Sequence, residues 1–256
     1  MKTSNKVLLI LGLVLLASPL LFLSFYVKAH TEPFYNNSDL TIDSKSAGMI
    51  SIPTKSFNNI VVKSSNQNAY LTYTIINSEH FGIKIPEGLK GVTSATVNGK
   101  GELEIVTNHR FKYNPFLKIL IYAPKSTSIS FNKLEDVSTV YAGSDSLFVS
   151  AVDCKSTINI RANDPDRQSQ SIGIMAKNSD ISLDFNKLKN LTINVSNNAK
   201  VEQPNDYDTL RVNTLQLNIQ DKSTFSAKNL IANNIVGFIA ENANLIGVDR
   251  SAVKKQ

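Results

Sequence analysis

The 256-residue chain has one cysteine, no tryptophan and three histidines. A lone cysteine excludes a disulfide-stapled fold within one chain. Eleven glycines and eight prolines are too few for a collagen-like chain, and 42% hydrophobic residues is too many for a disordered one. His30, His80 and His109 sit in unrelated contexts, and the chain has no Cys-x-x-Cys, no His-Glu-x-x-His and no glycine-rich calcium nonapeptide. Those spacings imply no metal and no cofactor. Gly-x-Ser-x-Gly and glycine-rich phosphate loops are missing too, so no nucleophile or phosphate cradle announces an enzyme.

Charge of one sign is scarce once it is located. Lys2, Lys6 and Lys28 flank the N-terminal apolar run, and Arg250, Lys254 and Lys255 lie at the C-terminal tip. With those six set aside, the 27 basic residues fall to 21, against 21 acidic ones. The body is electrically balanced, and a nucleic-acid partner, which needs clustered Lys and Arg, is not expected.

One long hydrophobic run is present. Val7 to Val27 carries no charge and is long enough, at 1.5 Å per residue, to cross a bilayer core of roughly 30 Å. It reads as a transmembrane signal-anchor helix, with residues 1–6 cytoplasmic and the remainder exported. A cleaved signal peptide is the competing reading, with Val27-Lys28-Ala29 as its site, but the run is longer than such regions usually are. Residues 28–56 read as a linker, since Glu32-Pro33, Asn36 to Asp39 and Ser44 to Ser46 offer little to bury. Within it, Leu40 and Ile42 are candidates for a short strand. Cys154, beside Ala151 and Val152, reads as a buried inert thiol.

From Phe57 onward the apolar residues alternate with polar ones in short bursts: Ile60 to Val62, Tyr70 to Ile75, Leu103 to Val106 and Leu117 to Tyr122. Period two without sustained helical spacing predicts an all-β domain over residues 57–249, followed by a basic tail, 250–256. Gly99-Lys100-Gly101 reads as a tight turn between Val97 and Leu103. Internal repeats then choose among all-β architectures. Phe131 to Leu147 matches Phe185 to Val201 at an offset of 54. Leu191 to Val201, Leu215 to Phe225 and Ile235 to Leu245 are related at offsets of 24 and 20, which puts equivalent apolar positions at 158, 181, 201, 225 and 245. A period of 20 to 24 residues suits one rung of a parallel β-helix, and residues 57–248 would supply roughly nine rungs.

Each copy holds a polar corner, at Gly143, Asn197, Asp221 and Glu241, with Ala199, Ser223 or Ala243 two places on. Gly, Asn and Asp tolerate the left-handed backbone of a sharp corner, and small side chains let neighbouring rungs approach. Asn190-Leu191-Thr192, Asn194-Val195-Ser196 and Asn36-Asn37-Ser38 fit a glycosylation acceptor pattern. Stacked asparagines bonding along the rod account for the first two more simply. Phe131 and Phe185 read as core aromatics.

Two irregular spots are candidate ligand-binding segments. His109, Arg110, Phe111, Lys112 and Tyr113 interleave cations with aromatics, as an anionic glycan or headgroup would require. The other is Asp164, Asp166 and Arg167, an acidic cluster around Pro165 in an insertion, Ala162 to Ser171. A hairpin loop and a solvated turn are the plain alternatives.

Phe57-Asn58-Asn59-Ile60-Val61-Val62-Lys63, then Gly101-Glu102-Leu103-Glu104-Ile105, then Leu117 to Pro124 running into Ser126 to Ile129, resembles the bacterial head GIN domain family, also labelled putative auto-transporter adhesin or DUF2807. The resemblance covers about residues 57–248. It implies an exported, single-stranded right-handed β-helix in the bacterial envelope, and it brings no catalytic residues. Here Ala142-Gly143-Ser144 and Asn197-Asn198-Ala199 stand where Gly-Ser-Gly corners are common in the family.

The expectation is therefore a non-enzymatic single-pass membrane protein. Its exported β-helical domain, a monomer, serves adhesion or binds glycan, cell wall or protein. A polysaccharide-degrading β-helix enzyme, lyase or hydrolase, using Asp164, Asp166 and Arg167 is one alternative, and a self-assembling envelope scaffold is another.

Overall fold

The computed structural model describes Ser18 and residues 41–46, 48–64, 70–108, 116–135, 137–162, 170–204 and 209–254. No helix among them is long and apolar enough to cross a membrane. The expected span, residues 7–27, lies outside the described residues except for Ser18. From residue 41 onward the described helix amounts to two single 3-10 turns, Glu87–Leu89 and Arg250–Ala252. The rest is β.

Alternation makes the strands. In Lys187–Ser196 the side chains of Leu188, Leu191, Ile193 and Val195 are buried, while those of Lys187, Lys189, Thr192 and Asn194 face outward. The first strands are β1 (Met49–Pro53), β2 (Asn59–Ser64), β3 (Tyr70–Asn77), β4 (Gly82–Pro86), β5 (Thr93–Val97), β6 (Glu102–Thr107) and β7 (Phe116–Ala123). Next come β8 (Ser126–Asn132), β9 (Val137–Ala142), β10 (Ser146–Val152), β11 (Ile158–Ala162), β12 (Ser171–Lys177) and β13 (Asp180–Asp184). The last are β14 (Lys187–Ser196), β15 (Lys200–Glu202), β16 (Leu210–Ile219), β17 (Thr224–Ser226), β18 (Leu230–Ile239) and β19 (Asn244–Ile246).

These strands form two large, mostly parallel sheets. Sheet A has the order β1-β4-β7-β3-β9-β11-β13-β15-β17-β19, and sheet B the order β18-β16-β14-β12-β10-β8-β2-β6-β5. From β8 onward consecutive strands alternate between the sheets, and each pairs in parallel with the strand two places later. The register joins Ile158 to Ile181, Ile181 to Val201, Val201 to Phe225 and Phe225 to Leu245, which are the equivalences read from the repeats. On sheet B, Ile129, Val149, Ile174, Ile193 and Leu217 form one buried column. The core between the sheets is aliphatic with a few aromatics, including Tyr73 against Phe131 at 5.8 Å between ring centroids.

One corner repeats. Lys133, Asp153, Asn178, Asn197 and Asp221 each follow a sheet B strand, align in register and have φ between 47° and 57°. Asn178 donates to Asp153 at 2.9 Å, and the Asn197 backbone N–H donates to the Asp221 carboxylate at 3.1 Å. Glu241, at the sixth level, is not left-handed. Ala199, Ser223 and Ala243 are buried just beyond, so a small residue occupies that place at each of these levels.

Three expectations need correction. The 54-residue match is not a structural equivalence, because Phe131 closes β8 in sheet B and aligns with Ala151, whereas Phe185 follows β13 of sheet A. An offset of 54 is about two and a half turns of the repeat, so the second copy lands at the opposite corner. For the same reason Gly143, after β9, belongs to the other corner from Asn197. The N-terminal third is not a run of successive rungs. β5 and β6 form an antiparallel hairpin, β4 is antiparallel to both β7 and β1, and β2 with β3 lies between the β6/β7 and β8/β9 levels. Eight parallel levels result among the described residues, closed at one end by antiparallel strands, in place of nine uniform rungs. The hairpin turn falls at Asn98 to Gly101 as its sequence predicts, with the Asn98 side-chain oxygen accepting from the Lys100 and Glu102 N–H groups.

The boundaries also shift. Residues 41–53, expected within a linker, pack against sheet A: Ile42 is buried with Ile76, Leu120 and Tyr122, and β1 pairs with β4. Lys84, fully buried, donates to the Thr41 carbonyl and Ser44 hydroxyl at 2.8 Å and to the Ser46 hydroxyl at 3.0 Å, with its ammonium 5.3 Å from the Tyr122 ring centroid. A single isoleucine and one caged cation are too sparse a pattern to stand out in the sequence. At the other end Lys254, assigned to the basic tail, bridges to Val236 of β18.

Candidate binding face

His109, Arg110, Phe111, Lys112 and Tyr113 lie outside the described residues, as do Asp164, Asp166 and Arg167. The strand ends that flank them are far apart in the fold. Thr107 and Phe116 belong to the β6/β7 level, where the chain passes from sheet B to sheet A. Ala162 and Ser171 lie where it passes back, three and four levels on. Among the described residues no three His, Cys, Asp or Glu side chains converge on a point that could hold a metal ion. Cys154 is buried, and loss of hydration pushes its thiol pKa up, away from nucleophilic character.

The outer face of sheet B is where the described surface departs from an ordinary one. Its strands β8 to β18 carry three outward columns, aligned in register through six levels. The first is Ser126, Ser146, Ser171, Asn190, Thr214 and Asn234. The second is Ser128, Phe148, Gly173, Thr192, Gln216 and Val236, and the third is Ser130, Ser150, Met175, Asn194, Asn218 and Phe238. None of the eighteen is charged. At the chain's own 19% charged residues about three would be, and protein surfaces are usually richer still. The spacings of a sheet make this area roughly 24 Å along the stack by 14 Å across.

Charge begins at the margins. Lys187, Lys189 and Arg211 stand beyond one side and Lys177 beyond the other, while the Lys63–Glu104 pair, 3.0 Å apart, marks the next levels of the same sheet. Glu104 is held below the usual carboxylate range by the Asn98 amide first and the Lys63 ammonium second. The outer face of sheet A differs: Arg161 pairs with Asp184 at 3.5 Å and Lys200 with Glu202.

Local hydrogen bonds and register shifts shape the uncharged area. In β14, β16 and β18 two consecutive residues face outward at the same level, Lys189-Asn190, Asn213-Thr214 and Asn233-Asn234, and the register skips the first of each pair. Asn233 donates to Asn213 at 3.0 Å along this bend. Asn190 donates to Ser171 at 3.0 Å, so the first of the suspected acceptor asparagines serves as a rung-to-rung tie. Gln170, buried at the start of β12, donates to the Ala142 and Ser144 carbonyls at 2.9 and 2.8 Å and fastens the corner from which β12 springs.

Sequence reasoning missed Phe148 and Gly173. The Phe148 ring leans across Gly173 in the next strand, so closely that a Cβ at 173 would stand 2.6 Å from the ring's Cδ2. Around them is an open groove of about 440 Å³ lined by Ser146, Ser171, Asn190, Thr192 and Gln216, among others. A glycine inside the strand pattern Ser171–Lys177 was the available signal, since it marks a close approach.

No protein-family model matches the chain, and no curated protein does. Among solved structures it is similar to a protein of Parabacteroides distasonis described as "Putative lipid binding protein". The two are 13% identical, the match covers 81% of this chain and 96% of that one, and the TM-score is 0.37.

Proposed function

We propose that the protein is a non-enzymatic binding module of the bacterial envelope. Its folded part would be a right-handed, single-stranded β-helix, tethered through residues 7–27 and exported. Its ligand would be a neutral, hydroxyl-rich polymer, a glycan or a cell-wall strand, lying along the outer face of sheet B. The uncharged grid carries this reading: eighteen aligned positions of Ser, Thr, Asn and Gln with a few apolar side chains and no charge. Hydroxyl and amide groups both donate and accept, which suits a ligand made of hydroxyls, and a face without charge offers a polyanion nothing.

Alternation of strands between two sheets supports the β-helix. The order of motifs from Phe57 to Ile129 supports kinship with head GIN domains, and the length and flanking lysines of residues 7–27 support the tether. For the enzyme reading, Asp164, Asp166 and Arg167, which lie outside the described residues, would have to meet carboxylates from adjacent rungs.

Co-sedimentation with insoluble polysaccharides and cell-wall sacculi tests the proposal. We expect retention on uncharged polymers that persists at high salt, because no ion pair would be screened, and no release of reducing or unsaturated ends. Absence of retention across the panel, or retention abolished by salt, would overturn it.

A further inference from the structure

We infer that Phe148, seated on Gly173, is the stacking platform for one sugar ring of a neutral saccharide, with Asn190, Thr192 and Gln216 as its hydrogen-bonding rim. This rests on the binding-face reading above and adds a position and a ligand chemistry to it.

Phe148 sits at an outward position, where alternation calls for a polar residue, and it is 38% exposed. Its column is otherwise Ser128, Thr192, Gln216 and Val236 beside Gly173. Covering the bare backbone of Gly173 explains one side of the ring and is a known use of aromatics on sheets. It does not explain the groove. Among the described residues the groove's rim carries hydroxyls and amides from four successive levels and no charge, and the ring meets them across about 440 Å³ of open space. The rim is pre-ordered: Asn190 is tied to Ser171, and Gln170 fixes the corner beneath. Gly173 makes room for the ring, since a Cβ there would stand 2.6 Å from its Cδ2. An apolar plate edged by groups that both donate and accept matches a pyranose ring, which offers a flat C–H face and a hydroxyl perimeter. An anionic ligand would want Lys or Arg at the rim, and those residues are confined to the margins.

The ring and the glycine supply separable tests. Phe148→Leu still covers Gly173 but has no aromatic face, whereas Phe148→Trp enlarges that face. Gly173→Ala leaves every rim residue in place and pushes the ring away. With cellohexaose and chitohexaose as probes, we expect Phe148→Leu and Gly173→Ala to weaken binding roughly two- to tenfold. Phe148→Trp should match or exceed the parent, and Thr139→Ala on sheet A should change nothing. Unfolding midpoints close to the parent's would exclude misfolding as the cause. Unchanged affinity in Phe148→Leu, or equal loss in the Leu and Trp variants, overturns the platform and leaves the broader binding-face reading standing if polymers are still retained. Parent protein that is retained on neutral polymers but binds neither oligosaccharide also overturns it.

Discussion

Gly173 and Gly237 both lie on sheet B, Gly173 in an outward column and Gly237 in register with buried Leu217, and they are glycine for different reasons. At Gly173 the obstacle to a side chain is the Phe148 ring, which belongs to a side chain and not to the backbone. At Gly237 φ is +144°, and a Cβ would fall within the contact radius of the Leu217 carbonyl oxygen, which belongs to backbone held in the sheet. Side chains yield to a rotamer change, and a paired strand does not. Gly173→Ala should therefore cost less than about 1 kcal/mol of stability, and Gly237→Ala on the order of 2–4 kcal/mol. Urea unfolding of both variants checks this, and similar small losses in the two would contradict the assignment. The sequence displays both glycines but cannot distinguish them. Which aromatic lies over Gly173 depends on a pairing between residues 25 positions apart, Phe148 and Gly173, and no local pattern encodes that. Burial of Cys154 was easier to read because its apolar neighbours, Ala151 and Val152, are close by in the chain.

At the scale of elements, the corner after each sheet B strand shows how a repeat in structure tolerates variation in sequence. Five levels place a left-handed residue there: Asp153, Asn178, Asn197, Asp221 and Lys133. Four of these can support the conformation with a short polar side chain. Lys133, with φ of 53°, cannot, and carries the steric penalty of a long side chain in that region. Lys133→Asn should accordingly raise stability by about 0.5–1 kcal/mol, with no change in fold. A lower denaturation midpoint for the variant would mean that the Lys133 side chain makes a compensating contact. The corners at Asn197 and Asp221 were legible because they recur at an offset of 24 and the chain order from Ile158 to Leu245 is also the stacking order, whereas Asp153 and Asn178 were not read as corners. Before β8 the two orders part company. The chain visits the β2/β3 level, leaves for the antiparallel end strands and returns by β6 and β7, so the repeat is broken and the strands are visible without their arrangement.

Over the whole molecule, the two ends of the stack are finished differently, and the difference bears on whether copies join. The N-terminal end is closed by antiparallel pairing, β5 on β6 in one sheet and β4 on β7 with β1 on β4 in the other, with Pro53 in the outermost strand. At the C-terminal end β18 is an edge strand of ten residues, and outward positions that are polar at earlier levels become apolar. Ile231 replaces Lys187 and Arg211, Phe238 replaces Asn194 and Asn218, and Ile246 replaces Glu202 and Ser226. A long apolar edge is a template for another strand unless it is covered. The cover is the chain's own last described segment. Lys254 donates from its N–H to the Ile235 carbonyl and accepts from the Gly237 N–H, both at 3.0 Å, and Arg250 donates to the Ala240 and Ala243 carbonyls. Val248 and Val253 pack against the end of the core. Removing residues 249–256 should uncover the middle of β18 and part of the core at once. We expect the shortened chain to self-associate in a concentration-dependent way under conditions where the intact chain sediments as a monomer, since two β18 edges can pair antiparallel about a twofold axis. If the shortened chain stays monomeric at high concentration, the tail is not what guards the edge. If the intact chain already associates, the C-terminal end is an assembly surface and the scaffold reading gains over the solitary tethered module.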